Sequence, residues 1–228
     1  MSEPAEGLSG FGGTARLFPL PNLVLFPHVI QPLHVFEPRY RQLMEDALHA
    51  DRLMAMALLK PGWEDSYQQR PPIHPIVCIG RIFKEERLAD GRFNLLLQGL
   101  CRARVLEEIE TGKLYRTARV DVVPETLPPA ALEAELRQML GEQMTRWFAA
   151  HAVALDQMNK LLESNLTSGS LCDIFTFALP LEPEVKQELL EEAQVERRIR
   201  HLVEHLATAE PEAPPPGNRK FPPEFSAN

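Results

Sequence analysis

LFPLPNLVLFPHVIQPLHVFEPRYRQLMEDAL, residues 17–48, decides how the rest of the chain is read. Leu17–Leu20, Val24–Pro27 and Leu33–Phe36 are short apolar runs broken by prolines. Pro27 and Pro32 have no N–H to give a strand ladder, so they belong at strand ends or edges. At Glu37 the period changes. Tyr40, Leu43, Met44, Ala47 and Leu48 follow at i, i+3, i+4, i+7 and i+8, one face of a helix over residues 38–49. Pro38 suits a first helical position, where no N–H is needed, and Glu37 stands near the positive end of the helix dipole.

Outward from this stretch, residues 14–123 read as strands around that one inserted helix. Leu53–Leu59 has the length of a buried strand, and the polar, proline-rich residues 63–75 read as a long loop. Ile76–Leu88 and Phe93–Glu107 form two strands joined through Ala89-Asp90-Gly91-Arg92, where Asp-Gly signals a turn. In the second, Phe93, Leu95, Leu97, Cys101, Ala103 and Val105 share one face, and Asn94, Gln98, Arg102 and Arg104 the other. Gly99 interrupts the alternation and predicts a bulge or sharp bend. After Pro124 the period becomes helical for good, with five segments separated by short connections, which makes them neighbours in a bundle. The fold class read from the pattern is α+β, strands followed by helices. The expected organisation is a flexible leader at 1–13, a β subdomain at 14–124, a helical subdomain at 125–208 and a proline-rich disordered tail at 209–228.

Four segments in this order resemble the N-terminal substrate-binding domain of the ATP-dependent Lon proteases. They are residues 17–48, Gly80-Arg81-Ile82, the run Asp90–Gly99, and Ala178-Leu179-Pro180 through Lys186–Glu191. Each is soft alone, but their order and spacing across residues 14–206 make the match specific. The resemblance implies a PUA-like β pseudo-barrel carrying one inserted helix, followed by a C-terminal α-helical bundle. It also implies a non-catalytic role, recognition of unfolded or damaged polypeptides or of a protein partner in protein quality control, with a protease or chaperone as a further partner.

The composition narrows the alternatives. The formal charge of −8 lies wholly in residues 125–228, while residues 1–124 hold 15 basic and 15 acidic side chains. That distribution argues against phosphate-backbone binding, so the alternative of a PUA-like RNA-binding protein would need a single cationic face made by Arg81, Arg92, Arg102 and Arg104. Cys78, Cys101 and Cys172 are three, sparse and in apolar settings, reading as buried reduced thiols. No secretory leader and no apolar run of membrane-spanning length stand in the sequence, so the expected compartment is the cytoplasm and no membrane partner is expected.

No cofactor is expected, and no catalytic residue. The sequence has no GxxxxGK[ST], so it lacks the lysine and hydroxyl that hold nucleotide phosphates and magnesium. His201-Leu202-Val203-Glu204-His205 is formally HxxEH, two helical histidines one turn apart. A catalytic zinc needs a third protein ligand, and only Glu210, Glu212 and Glu224 follow, so the structural reading is preferred. Arg197, Arg198 and Arg200 read as a solvated mixed-charge face beside Glu191, Glu192, Glu196 and Glu204. The expected binding surface is an apolar groove where the strand and helical modules meet, with Phe26, Pro27, His28 and Trp63 as candidate contacts.

Overall fold

A computed structural model of the chain describes residue 8 and residues 10–67, 69–149 and 152–208. The expected tail at 209–228, and all of the expected leader except Leu8 and residues 10–13, lie outside the described residues. The chain divides into two compact units, one ending at Pro124 and one starting at Glu125.

The first unit carries β1 (Thr14–Leu20), β2 (Ile30–Val35), α1 (Pro38–Leu48), β3 (Leu53–Leu58), β4 (Ile76–Arg87), β5 (Phe93–Ile109) and β6 (Arg116–Val122). β1 pairs in parallel with β3 and antiparallel with β6, while β3–β4, β4–β5 and β5–β6 are antiparallel. These pairings close a ring of five strands. β2 stays outside it, added antiparallel to the first half of β5. A ring with one strand hung on its rim is a pseudo-barrel rather than a clean barrel, so the α+β expectation holds with that qualification. Val24–Pro27, read as one of the apolar runs, joins no ladder and instead crosses as a strap between β1 and β2.

The ring is narrow, and its filling explains the composition of the strands. Ala15, Ala55, Ala57, Ala103 and Ala118 share the interior with Leu17, Leu53, Val77, Ile79 and Val120, with Leu8 packed among them. Small side chains are what a five-stranded barrel has room for. Every residue of β3 is buried, because its other face, with Met54, Met56 and Leu58, is covered too.

β5 has 17 residues and serves two sides of the ring. Its register against β4 shifts where Ile79 faces Cys101 but Gly80 faces Gly99, leaving Leu100 as the extra residue of a bulge. Here the sequence reading of Gly99 is met. The strap passes so close that a Cβ on Gly99 would lie 2.0 Å from the Phe26 carbonyl oxygen. His28 N–H donates to the Gly99 carbonyl at 3.0 Å, and Gly99 N–H to the Val29 carbonyl at 2.8 Å. The Asp90-Gly91 turn also forms as read, with Gly91 at φ 80° and Leu88 N–H bonded to the Arg92 carbonyl at 2.8 Å.

The second unit contains α2 (Ala130–Trp147), α3 (Ala152–Leu162), α4 (Ser168–Ala178), α5 (Pro183–Glu191) and α6 (Val195–Thr208). α4 is buried over most of its length and is capped by Thr167, whose side chain accepts from Ser170 N–H. Glu133 of α2 adds a second cap, accepting from Ser168 N–H at 2.6 Å and from its hydroxyl at 2.8 Å. The α3 end is closed by Arg137, which donates to the carbonyls of Leu162 at 2.8 Å and Leu166 at 2.7 Å and to that of Ser164. Arg198 departs from the sequence reading. It is fully buried, 2.6 Å from Glu125 and 3.2 Å from Asp173, itself buried on α4. A carboxylate in the core of the unit draws the guanidinium inward, whereas helical spacing alone had placed it on a solvated face.

Two substitutions test this packing. Gly99→Ala must displace the strap, and its cost is expected to be at least about 1–3 kcal/mol in denaturant unfolding. Arg198→Met strips a charge partner from the buried Asp173 and is expected to cost about 3–5 kcal/mol, with Asp173→Asn in the same chain recovering part of it. Unfolding midpoints for both variants within error of the parent chain would contradict this account.

Candidate functional site

The polar chemistry of the first unit gathers around the start of α1. Pro38 occupies the first helical turn, as its fixed φ favours. Glu37 sits at the N-cap in extended conformation but makes no side-chain cap. Its carboxylate turns to Arg39 and Tyr67 instead, accepting from Arg39 Nε at 2.9 Å and from the Tyr67 hydroxyl at 2.9 Å. The Arg39 guanidinium lies between two rings, 4.5 Å from the centroid of Tyr40 and 4.8 Å from that of Tyr67. Tyr40 stacks on Phe18 at 4.0 Å and donates to the Pro19 carbonyl at 2.8 Å. Arg39 thus bonds mainly to the Glu37 side chain, with a longer contact of 3.5 Å to the Tyr67 carbonyl.

Tyr67 comes from the long loop, whose neck is pinched by a bridge between Leu59 and Ile73. Lys60 N–H bonds to the Pro72 carbonyl at 2.9 Å, and His74 N–H to that of Leu58 at 2.9 Å. At the loop's tip a single turn, Glu64–Ser66, sets Trp63 edge-on to Tyr67 at 5.4 Å. The row Trp63, Tyr67, Arg39, Tyr40, Phe18 therefore runs from a half-exposed indole to a buried ring.

Two depressions flank Tyr40. One is an apolar crevice with about 20 Å³ of free space, lined by Phe18, Leu20, Leu33, Val35 and Phe36 among others. Phe36 at its edge is 40% exposed. The other is a polar cleft of about 270 Å³, walled by Pro19 and Tyr40 and by Arg39, Gln69, Arg70, Leu114, Tyr115 and Arg116. Its β6 side is tied to α1: Tyr115 donates to Asp46 at 2.7 Å, Lys113 pairs with Asp46 at 2.9 Å, and Leu114 N–H bonds to Gln42 at 2.7 Å. These two donors outweigh burial and hold the Asp46 carboxyl below its usual range. Burial, helped by Asp46, pushes the Tyr115 hydroxyl up to about 12. Burial also raises Tyr40, and raises Tyr67 together with Glu37.

The four sequence candidates do not form one surface. Phe26 and Pro27 are buried in the strap over Gly99, and the adjacent His28 is exposed with φ 66°, a left-handed conformation that turns the strap into β2. Trp63 belongs to the other loop and joins the aromatic row. Tyr67, Arg39, Arg70 and Arg116 were missed as site residues. Tyr67 and Arg70 stand in the polar loop that also holds Trp63, but no period there says which of its side chains turn inward.

The remaining sequence candidates resolve by position. Arg102 is buried and Arg92 is held by Asp90 at 2.6 Å, so Arg81, Arg92, Arg102 and Arg104 do not make one cationic face. His201 of the HxxEH pattern lies 3.8 Å from Glu188, and among the described residues no three His, Cys, Asp or Glu are grouped to hold a metal. Cys78, Cys101 and Cys172 are all buried free thiols, and burial pushes Cys101 up to about 11. Among the described residues no helix is long and apolar enough to cross a membrane.

Residues 14–208 match the model of the ATP-dependent protease La (LON) substrate-binding domain. The chain belongs to this family. It is 30% identical over 195 residues to the Lon protease of Dictyoglomus thermophilum, covering 83% of this chain and 24% of that protein. With the Lon protease of Geobacter metallireducens it shares 28% over 192 residues, 83% of this chain and 23% of that one. The chain thus spans about a quarter of the length of these relatives. Its fold is that of the N-terminal domain of a Mycobacterium avium complex Lon protease, with a TM-score of 0.64 at 21% identity over 86% of this chain and all of the other. The Lon N-terminal domain protein from Xanthomonas campestris gives 0.56 at 23% identity over 84% of this chain and 97% of the other.

For a family member whose three tyrosines all sit in this region, alkaline titration reads the site directly. Each folded-state pKa lies above the ordinary value of 10, so the stability involved is whole below pH 10 and is lost as pH rises through the raised values, about 12 for Tyr115. Absorbance at 295 nm is expected to show less tyrosinate at pH 10 than three free tyrosines would give while the chain is folded, and to rise together with unfolding. A full three-tyrosine signal at pH 10.5 with native circular dichroism would disprove the geometry.

Proposed function

We propose that the chain is a non-catalytic recognition module that captures unfolded or damaged polypeptides by equilibrium binding. The observation that carries this reading is the match of residues 14–208 to a substrate-binding family. The aromatic row beside two depressions supports it locally. A half-exposed indole and the exposed edge of Phe36 offer apolar, shape-tolerant contact, the chemistry an unfolded segment presents. Of the four sequence candidates, Trp63 is the main contact and His28 an accessory one. Phe26 and Pro27 contribute by holding the strap and would touch a client only if it moved. Captured clients pass to a protease or chaperone partner in the cytoplasm, where quality control of soluble chains takes place.

The test is fluorescence anisotropy of a labelled, permanently unfolded protein titrated with the chain, without nucleotide, against a folded control. Saturable binding of the unfolded protein alone is expected, little weakened by salt. Trp63→Ala is expected to raise Kd about tenfold, the loss of roughly 1.4 kcal/mol from one aromatic anchor. Absence of binding by the parent chain would refute client capture.

A further inference from the structure

We propose that the polar cleft beside Tyr40 is a binding site for the C-terminal carboxylate of a polypeptide, with Arg39, Arg70 and Arg116 as its cationic wall. The inference rests on the polypeptide-capture reading and names the chemical group that one part of that surface takes.

Three guanidinium groups line a cleft of about 270 Å³ that, among the described residues, no carboxylate lines. Their charge partners, Glu37, Glu108 and Glu110, are not among the residues that line it. The donors are not exhausted by these pairs. Arg39 Nη2 is closed off from solvent, 2.9 Å from Glu37 Oε2, so Arg39 adds positive charge to the wall while Arg70 and Arg116 supply the accessible N–H groups. Arg70 is half exposed, and its ion contact to Glu110 is 3.6 Å long, beyond hydrogen-bond range. Arg116 is fixed on both sides, by Glu108 and by the Pro71 carbonyl at 2.7 Å, which leaves N–H groups of its fork unused. A fixed Arg fork beside a half-exposed one suits the planar, bidentate geometry of a carboxylate.

Size and lining select the source of that carboxylate. The volume of about 270 Å³ lies just below the ~300–1,000 Å³ typical of ligand pockets, which favours a chain end over a larger ligand. Tyr40, Tyr115, Pro19 and Leu114 supply apolar wall for a terminal side chain, and the exposed Gln69 amide can bond to a peptide group. A nucleic acid would need a continuous cationic track, and residues 1–124 are neutral in sum.

The experiment compares three N-terminally labelled decapeptides of one apolar sequence by anisotropy on the whole chain. One ends in a free carboxylate, one in a carboxamide, and one in a carboxamide with an internal aspartate. The free acid is expected to bind at least about tenfold more tightly than either amide, as loss of a charge-assisted pair requires. Arg70→Gln, chosen because Arg70 holds no buried structure, is expected to erase most of that difference with an unchanged Tm. Equal binding of free acid and carboxamide would overturn the site while leaving client capture standing. So would tight binding of the aspartate amide, or a difference that survives Arg70→Gln. If none of the peptides binds while the unfolded protein does, the site falls alone. If the unfolded protein fails as well, both readings fall.

Discussion

The bend of β5 at Gly99 is the constraint on which the first unit depends. A single strand of 17 residues pairs with β2 and β4 in its first half and with β4 and β6 in its second. It can do so only by changing direction, and the bulge at Leu100 supplies the turn. The missing side chain at residue 99 then has a second use. It lets the strap from β1 to β2 lie directly on the strand, where two backbone hydrogen bonds fasten it. Ring closure, the placement of β2 outside the ring and the burial of Phe26 all follow from one residue without a Cβ.

With β2 held there, the chain enters α1 at a fixed place, and the aromatic and charged groups follow. Pro38 sets the helix start, which leaves the Glu37 carboxylate free to serve Arg39 and Tyr67. The long loop is therefore docked at two points, by the bridge at its neck and by Tyr67 at its tip. On the proposed client-capture reading, this surface is ordered before a client arrives, so that Arg39 and Tyr67 would spend little further entropy on binding. The loop keeps an indole at the rim.

The second unit obeys a different logic, in which polar groups organise an apolar bundle. Thr167 and Glu133 close the start of α4, and Arg137 collects the carbonyls beyond α3. Arg198 and Asp173 place opposite charges in the interior, and Gly169 lets Val195 approach within 3.0 Å of where its Cβ would be. Removing one partner of such a pair costs far more than the pair itself contributes, so these residues specify one packing of the helices.

Much of this was legible in the chain. Gly99 gave the bend of β5, Asp90-Gly91 the turn and the period change at Glu37 the inserted helix, because each is a local rule of backbone geometry. The single face read for Phe93–Val105 is split by the bulge: Cys101, Ala103 and Val105 join the ring core, while Phe93, Leu95 and Leu97 are turned to the other side of the sheet. The ordered set of soft motifs pointed to the family. What the sequence left open were properties of distant residues meeting. Arg198 and Arg102 read as surface charges and are buried, since helical and strand spacing reports a face but not what lies against it. Phe26 read as a contact and is a buried strap residue, since exposure is decided by the approach of β5. Arg39, Arg70 and Arg116 are separated by up to 77 positions in the chain, and only the closed ring brings them to one cleft. The sequence by itself determined the elements, their order and the family, because hydrophobic period, proline and glycine act within a few residues. The tertiary structure alone decided which charges are buried, which rings are offered and where a cleft opens, because those depend on long-range packing that no local pattern encodes.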